Sequence, residues 1–422
     1  MKKIADRIDA HGFTDFKIIE IRSNETQLYL LRDRIESKRN IESHSYDITV
    51  YADHAGADGT LRGEYNFEYK PDTDLQFYLE QAKFACSMIK NRYYGLIQKT
   101  KPSNVQILDP KLENLDEVGT QLTESIYQST RDASVYLSGA EIYLKKSEIT
   151  LKTSTGIELS KIKGLISVEI TLIARRGKEE QELNFHLRRR SIEDLRLQQR
   201  IEEYKEHTLK TLDVQVPRSG KANVVFNASD VYALLHPLIF HSSGKAMDQG
   251  ISRFRVNERI VEQATNDFTL KTSGILPFGL YTDPFDDDGI SGQEHTIIDR
   301  GIFKKYWATK RYADYLNVEP TGSFKNLIIE PVSNEISSTD SYYDIVQFSD
   351  LSPDPITGDL VAEIRFGYQV KNGKKIPIKG GSIGCNVFEA LKNIQFSDNH
   401  TFEGLYSGPT FMVLRDLSIS GQ

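Results

Sequence analysis

Residues 16–54 form the stretch "FKIIEIRSNETQLYLLRDRIESKRNIESHSYDITVYADH", in which apolar and polar side chains alternate over several short runs. An alternation of period two is typical of strands with one buried face, and the polar residues between the runs indicate turns. We therefore predict an antiparallel meander with strands near residues 16–22, 26–31, 34–42 and 45–52.

Helical patterns follow the meander and predict a layer that covers one face of the sheet. Residues 72–93, "DTDLQFYLEQAKFACSMIKNRY", carry apolar side chains three and four apart behind an aspartate that can cap the helix. Residues 112–133 predict a second helix, and alternating strands return through residue 175. The charged run 188–212 predicts a long third helix, because opposite charges recur three and four residues apart.

The third helix is predicted to begin with three arginines, Arg188 to Arg190, for which two interpretations stand. They are either an anchor for a phosphate or a peptide, or a solvated helix end whose charge is balanced by the acids that follow. The second interpretation is favoured, because charge runs on helices are usually solvated.

The main domain boundary is predicted near residues 213–220, where the Pro-Arg-Ser-Gly break in "VQVPRSGKANVVF" precedes a new apolar strand. The break divides the chain into domains of residues 1–213 and 214–422. After one strand, the second half predicts a helix over 229–243, then mostly strands and turns with one helix at 386–395. We predict an α+β protein: an amino-terminal α/β domain with antiparallel strands and covering helices, and a carboxyl-terminal β-rich domain, built as a sheet or barrel.

Composition excludes several classes of partner. The 422 residues carry 53 Lys and Arg against 60 Asp and Glu, and a net charge of -7 argues against a nucleic-acid-binding surface. No run approaches the roughly 18 consecutive apolar residues that span a bilayer, and the first residues lack the apolar core of a signal peptide. The two cysteines, Cys86 and Cys385, cannot form a disulfide framework. We expect a cytoplasmic protein with no nucleic-acid or membrane partner.

The stretch "HPLIFHSSGKAMDQG", residues 236–250, places His236 and His241 five residues apart on the predicted helix. Zinc-peptidase helices of the HExxH type place two histidines four apart, about 40° from each other around the axis, with the glutamate as general base. Side chains five apart on a regular helix diverge by about 140°, so a single ion requires a kink or π-bulge. Pro237 can kink the helix, but it occupies the position of the base. A metal site and two ordinary polar histidines near a helix end both stay open, and the second is favoured.

Two other stretches are weaker candidates. In the acidic turn "DPFDDDGISGQEH", aligning Gly289 with the glycine of an EF-hand loop puts Pro284 at the first ligand position and His295 at the last. The calcium pattern therefore fails. Cys385 precedes a predicted helix start that could lower the pKa of its thiol, but a buried structural cysteine is favoured.

Several landmarks, taken in order, resemble the TldD/PmbA family, peptidases that are also described as modulators of DNA gyrase. The resemblance covers nearly the whole chain, and the order and spacing of the landmarks carry it. They are the early strands before the helix "YLEQAKFACSM", then "KTSTGIEL", "VPRSGKANVVF", "PFDDDGISGQEHTIIDRGIFKKYW", "TGSFKN", "IKGGSIGCNVFEALKNI" and "SGPTFMVLRDLSISGQ".

The resemblance implies a set of site residues. A TldD-type subunit carries an HExxxH helix whose two histidines hold the metal together with a late cysteine, whereas the TldE or PmbA type lacks this set and pairs with TldD. His236 and His241 stand at the histidine positions with the spacing of HExxxH. Pro237 replaces the glutamate, and "TFEGLYSGP", residues 401–409, has no cysteine ahead of Ser-Gly-Pro.

The resemblance therefore implies a TldE/PmbA-like, non-catalytic subunit of a TldD/TldE-type metalloprotease complex that degrades or processes unfolded peptides. Its expected partners are a TldD-like catalytic subunit, in a heterodimer, and a peptide gripped mainly through its backbone. No cofactor is expected in this chain. Zinc at His236 and His241 stays open, as does a homodimer of the chain alone.

Two alternatives remain. The first is a self-sufficient zinc metallopeptidase that uses His236 and His241 and finds a third ligand and a base elsewhere. Candidates are His295, Asp286 and Glu294 for the ligand, and Glu258 and Glu262 for the base. The second alternative is a regulatory or binding protein of the gyrase-modulator type. Interspersed charges of both signs disfavour it, because they do not make the one-signed field that mimicry of nucleic acid needs.

Overall fold

The computed structural model of the chain describes residues 1–57, 59–131, 134–261, 266–332 and 341–422. It confirms the predicted α+β class, with mainly antiparallel sheets. The helices are α1 Lys2–Ala10, α2 Leu75–Met88, α3 Leu115–Ser129, α4 Leu197–Lys210, α5 Ala228–Leu234, α6 His236–His241, α7 Gly244–Asp248, α8 Lys310–Leu316 and α9 Val387–Ala390.

The strands divide between the two halves of the chain. Those of the first half are β1 Asp15–Leu31, β2 Arg34–Gly56, β3 Gly59–Tyr69, β4 Asn91–Arg92, β5 Val135–Thr153, β6 Glu158–Arg176 and β7 Glu179–Arg189. Those of the second half are β8 Gly220–Asn227, β9 Phe268–Ser273, β10 Glu294–Asp299, β11 Ile302–Phe303, β12 Asn326–Pro331, β13 Ser341–Phe348, β14 Asp359–Lys371, β15 Lys374–Ile378, β16 Ser382–Asn386, β17 Gln395–Phe396, β18 His400–Phe402, β19 Tyr406–Pro409 and β20 Phe411–Ser420.

The amino-terminal sheet has seven strands in the order β4-β3-β2-β1-β5-β6-β7, with antiparallel neighbours. The predicted meander is present, but the four short strands that were predicted form two long continuous strands, β1 and β2. Residues 23–26 are polar and predicted a turn, yet β1 lies between β2 and β5 and its backbone pairs on both sides. Ser23 is buried there, with its hydroxyl 3.1 Å from that of Ser147. A central strand can therefore continue through a polar segment when neighbours satisfy its polar groups.

Four helices cover one face of this sheet. α1 and α2 pack on Ile18 of β1 and Ile48 of β2 in one apolar cluster, in which Ile8 and Leu79 are fully buried. α3 and α4 cover a second apolar cluster that contains Leu28 of β1. Since successive strand residues alternate between faces, Ile18 and Leu28 point to the same side.

The opposite face of the sheet contacts the second half of the chain. Ile19, Ile149 and Leu151 form an apolar cluster there with Phe285, which is 1% exposed. Burying one such aromatic side chain contributes about 1.5–3 kcal/mol, so Phe285 helps to hold the two halves together.

In the amino-terminal half, the helix boundaries differ from the sequence predictions in two places. The helix expected over residues 112–133 is α3, which is shorter at both ends. The long helix expected over 188–212 begins only at Leu197, because residues through Arg189 continue the edge strand β7. No helix among the described residues combines the length and the apolar character that crossing a bilayer requires.

The arginine run is not a helix end, and only Arg188 is exposed, whereas Arg189 and Arg190 are buried, which corrects the favoured interpretation of a solvated helix end. Arg189 and Arg190 are 6% and 4% exposed. Arg189 pairs with Glu403. Arg190 donates to the carbonyl oxygens of Thr282 and Leu280 at 2.8 and 2.7 Å. Both arginines therefore join the amino-terminal sheet to the second half of the chain.

The carboxyl-terminal half contains a closed five-stranded barrel, as the predicted β-rich domain suggested. Its strands follow the order β13-β8-β20-β16-β14, and β14 pairs with β13 to close the ring. A six-stranded sheet, β11-β10-β9-β12-β19-β18, shares one apolar core with the barrel. The sequence did not predict β13 or the short helices α7 and α8, since elements of five to eight residues give little periodic signal.

We predict that Gly63→Ala destabilises the amino-terminal domain. A Cβ at Gly63 would lie 2.0 Å from the carbonyl oxygen of Cys86, at the end of α2. Because the obstacle is backbone, helix and strand must separate, and we expect the free energy of unfolding to fall by about 1–3 kcal/mol. Urea unfolding followed by circular dichroism measures this loss.

Gly95→Ala is the matched control for that substitution. The nearest atom to a Cβ at Gly95 is a carboxylate oxygen of Asp314, 3.9 Å away, so the added methyl group meets no obstacle. Equal losses of stability in the two variants would contradict the close packing of α2 on β3.

Candidate functional site

The helix predicted over residues 229–243 is broken into two. α5 ends at Leu234 and α6 begins at His236, with Leu235 as the shared cap residue at φ -87° and ψ 8°. Pro237 lies in the first turn of α6, where its missing N–H leaves no helical hydrogen bond unmade. The break therefore falls before both histidines and does not bring their side chains together.

The two histidines occupy different environments. His236 is exposed to solvent, whereas His241 is 0% exposed. Both lie on the same six-residue helix, α6, in which side chains five apart diverge by about 140°. One side chain therefore points to solvent and the other into the core.

Both ring nitrogens of His241 are bonded to backbone groups. The Arg253 N–H donates to Nδ1 at 3.1 Å, and Nε2 lies 2.8 Å from the carbonyl oxygen of Ile356. An amide N–H can only donate and a carbonyl oxygen can only accept, so the two bonds assign the neutral tautomer with its proton on Nε2. The single lone pair of this ring is therefore already in use.

The surroundings of His241 favour that neutral form. Phe254 and Phe388 pack against the ring, with centroids 5.7 and 5.4 Å away. Burial lowers the pKa of His241 from its ordinary value; the bond to Ile356 opposes this shift, and the positive charge of Arg253 adds to it. His241 is thus a structural histidine that ties α6 to two loops.

These residues do not fit a catalytic zinc ion, which takes three protein ligands with free lone pairs. His236 faces solvent and His241 has no lone pair to offer without breaking its bond to Arg253. Among the residues that the structure describes, no group of three or more His, Cys, Asp or Glu side chains could hold a metal ion.

The other ligand candidates have separate roles. Glu294 lies on β10 with its carboxylate 3.8 Å from Lys271, and the neighbouring His295 is half-buried on the same strand. Burial lowers the pKa of His295, and the positive charge of Lys305 lowers it further. Of the two candidate bases, Glu258 is exposed and Glu262 lies outside the described residues.

The acidic turn at residues 283–288 is an element of the contact between the two halves. Lys17 lies 2.8 Å from Asp288, and Lys161 lies 3.1 Å from Asp283. Asp286 is buried and accepts hydrogen bonds from the N–H groups of Asp288 and Ile290 at 3.0 and 2.9 Å. Burial raises its pKa to about 6. The sequence suggested an ordinary turn, and its partners on distant strands were invisible because they lie more than 100 residues away.

Cys385 is not an activated thiol. It lies on β16, one residue before the Asn386 that caps α9. Burial raises the pKa of the Cys385 thiol to about 11, and the negative charge of Asp359 adds to this shift. The structure agrees with the favoured interpretation of a structural cysteine.

The segment ahead of Ser-Gly-Pro, where the resemblance implies a metal-binding cysteine, has a structural role instead. Glu403 stands in this segment, and its side chain is 10% exposed. It forms ion pairs with both Arg189 and Arg200 of the amino-terminal half. Replacing one partner of such a buried pair leaves an uncompensated charge, so this segment is fixed by the contact between the halves.

Comparison with known proteins identifies the family of the carboxyl-terminal part of the chain. Residues 219–421 match the family model of the PmbA/TldA metallopeptidase C-terminal domain. A metalloprotease TldD homologue of Buchnera aphidicola is 24% identical over 376 residues, 79% of this chain and 77% of that protein. An uncharacterized protein of Methanocaldococcus jannaschii is 29% identical over 194 residues, and the chain covers only 45% of that relative's length. That alignment takes in 41% of this chain.

The crystal structure of TldE from Thermococcus kodakarensis has the same fold. It matches with a TM-score of 0.82 over 100% of both chains, at 16% sequence identity. A likeness at this identity concerns the fold and not the activity. Residues 219–421 therefore belong to the PmbA/TldA metallopeptidase C-terminal domain family, and the alignment with a TldD homologue and the shared fold extend the resemblance over most of the remaining chain.

Proposed function

We propose that this chain is a TldE/PmbA-type subunit with no catalytic centre of its own, which joins a TldD-type subunit in a metalloprotease for unfolded peptides. The observation that carries the proposal is the pair of backbone hydrogen bonds at His241, to Arg253 and Ile356. A zinc ligand must offer a ring lone pair, so binding metal would require His241 to break a bond inside the core.

The position of the general base supports the same proposal. A peptidase that activates water on zinc needs a group beside the metal that accepts a proton. Pro237 stands at that position and has no titratable group. Its place in the first turn of α6 suits the fold of this segment, so the substitution is compatible with a stable helix.

A TldD-type partner would supply what this chain lacks. The Buchnera relative is named as a TldD homologue and the Thermococcus structure as TldE, which are the two types that the proposed complex combines. In such a complex the partner provides the metal and the base, and this chain provides part of the surface that binds the substrate. An unfolded peptide added as a strand would be bound through its main chain, which suits a protease of loose sequence preference.

The alternatives have less support. A self-sufficient zinc peptidase would need His236 and His241 to act together, although one is exposed and the other is bonded on both ring nitrogens. For a gyrase modulator, the mixed surface charge offers no nucleic-acid mimic.

The proposed role predicts the zinc content and the proteolytic activity of the purified chain. The purified chain is expected to hold far less than one zinc per chain and to leave casein intact, because its described residues offer neither a metal ligand set nor a base beside one. Mixing it with a TldD-type chain that has an intact HExxxH helix should produce casein cleavage. Elemental analysis by mass spectrometry and gel-based proteolysis measure both.

The control for this experiment is the TldD-type chain with its HExxxH glutamate replaced by glutamine, which should leave the mixture inactive. One tightly bound zinc per chain, together with casein cleavage by this protein alone, would show the proposed role to be wrong.

Substitution of the two histidines is expected to affect the stability of the protein to different extents. His236→Ala should change the free energy of unfolding by less than about 0.5 kcal/mol, because the side chain is exposed. His241→Ala should cost about 2–4 kcal/mol, because it leaves a cavity and two backbone groups without partners. Urea unfolding of both variants gives these values.

The reconstituted protease provides a second measurement for the same variants. At a temperature where both are folded, neither should change the zinc content of the complex. Loss of one zinc per complex in both variants, with His236→Ala still fully stable, would indicate that the pair binds metal.

A further inference from the structure

A pocket with a volume of about 390 Å³ lies at one end of the amino-terminal sheet. It is formed by the turn between β1 and β2, the carboxyl end of α3, the start of β5 and the end of β6. Three of its lining residues are arginines, Arg32, Arg131 and Arg175, against one acid, Asp33. The proposed protease role makes no use of this pocket.

Two of the guanidinium groups are positioned by one aromatic ring. The Arg32 and Arg175 guanidinium carbons lie 6.0 and 5.3 Å from the centroid of the Tyr136 ring. Arg175 also donates to the Tyr136 hydroxyl at 3.2 Å. Arg32 stands in a two-residue turn with a left-handed backbone, φ 55°, which fixes where its side chain leaves the sheet. The pocket thus presents guanidinium groups that are partly preorganised.

The positive charge of the pocket is incompletely balanced. Arg175 pairs with Glu180. Within the described part of the chain, neither Arg32 nor Arg131 has a carboxylate within 4.0 Å in an ion pair. Planar guanidinium groups that have no carboxylate partner can bind the carboxylate or phosphate oxygens of a ligand, often through two hydrogen bonds at once.

A tyrosine in the same pocket provides an independent observation. The Tyr127 hydroxyl is buried and has no hydrogen-bond partner among the described residues. Burial raises its pKa, and the negative charge of Asp33 adds to this shift, so the hydroxyl keeps its proton and can donate it. Buried hydroxyls almost always have a partner, and here an acceptor that enters the pocket would provide one.

We propose that this pocket binds an oxyanion, the phosphate or carboxylate group of a small solute. Arg32 and Arg131 neutralise its charge, and the Tyr127 hydroxyl donates a hydrogen bond to it. Arg175, against the Tyr136 ring, adds a third positive charge to the pocket lining, and the negative charge of Asp33 offsets part of the total.

The test uses inorganic phosphate and citrate as probes, each compared with sodium chloride at equal ionic strength. Both the melting temperature of the full chain and calorimetric titration report binding. Arg32→Gln and Arg131→Gln should each weaken binding about tenfold, because each removes a charge-assisted hydrogen bond. Tyr127→Phe should weaken it by a smaller factor while keeping the ring.

Arg34→Gln is the matched control. Arg34 belongs to the same hairpin, its side chain is 67% exposed, and it pairs with Glu36 at 3.0 Å outside the pocket. Binding of phosphate alone, of citrate alone or of both supports the proposal and identifies the preferred anion. No binding above the chloride control, or equal weakening by Arg34→Gln and Arg32→Gln, would overturn it.

Discussion

A neutral imidazole has one lone pair, and in His241 the N–H of Arg253 already uses it. The other nitrogen is bonded to the carbonyl oxygen of Ile356. These two bonds tie α6 to the loops on either side of it, in a core where Phe254 and Phe388 exclude water. The same ring cannot keep both of these hydrogen bonds and also bind a metal, and here it makes the hydrogen bonds.

The two halves of the chain are joined by charged groups placed around one aromatic side chain. Phe285 is buried on the open face of the amino-terminal sheet, and Lys17 and Lys161 pair with acids of the same turn. Glu403 makes a second connection, through Arg189 and Arg200. Buried charges of this kind are costly unless every partner is present, so they specify one relative placement of the halves better than apolar contact alone would.

The sequence allowed the fold class and many strands to be predicted, because alternation and helical spacing are local. It failed where neighbours decide the outcome. Residues 23–26 are polar and predicted a turn, but pairing on both sides keeps them in β1. The run beginning at Arg188 predicted a helix, but Arg188 and Arg189 pair with β6 at the end of β7, and Glu403, more than 200 residues away, satisfies the charge of Arg189.

The site was predictable in part. The spacing of His236 and His241 and the proline between them can be read from the sequence and raise the question of a metal. The answer depends on Arg253 and Ile356, which no local pattern connects to His241. The arginine pocket carried no motif at all, since its residues come from four separate elements.

The most direct test of the central claim is the ¹⁵N NMR spectrum of histidine-labelled protein, with the signals of His241 assigned by comparison with His241→Asn. The hydrogen bonds predict nitrogen shifts of a neutral ring protonated at Nε2 near pH 7, unchanged when one equivalent of zinc is added. A shift of the unprotonated nitrogen of His241 on adding zinc, matched by a shift in His236, would contradict the account.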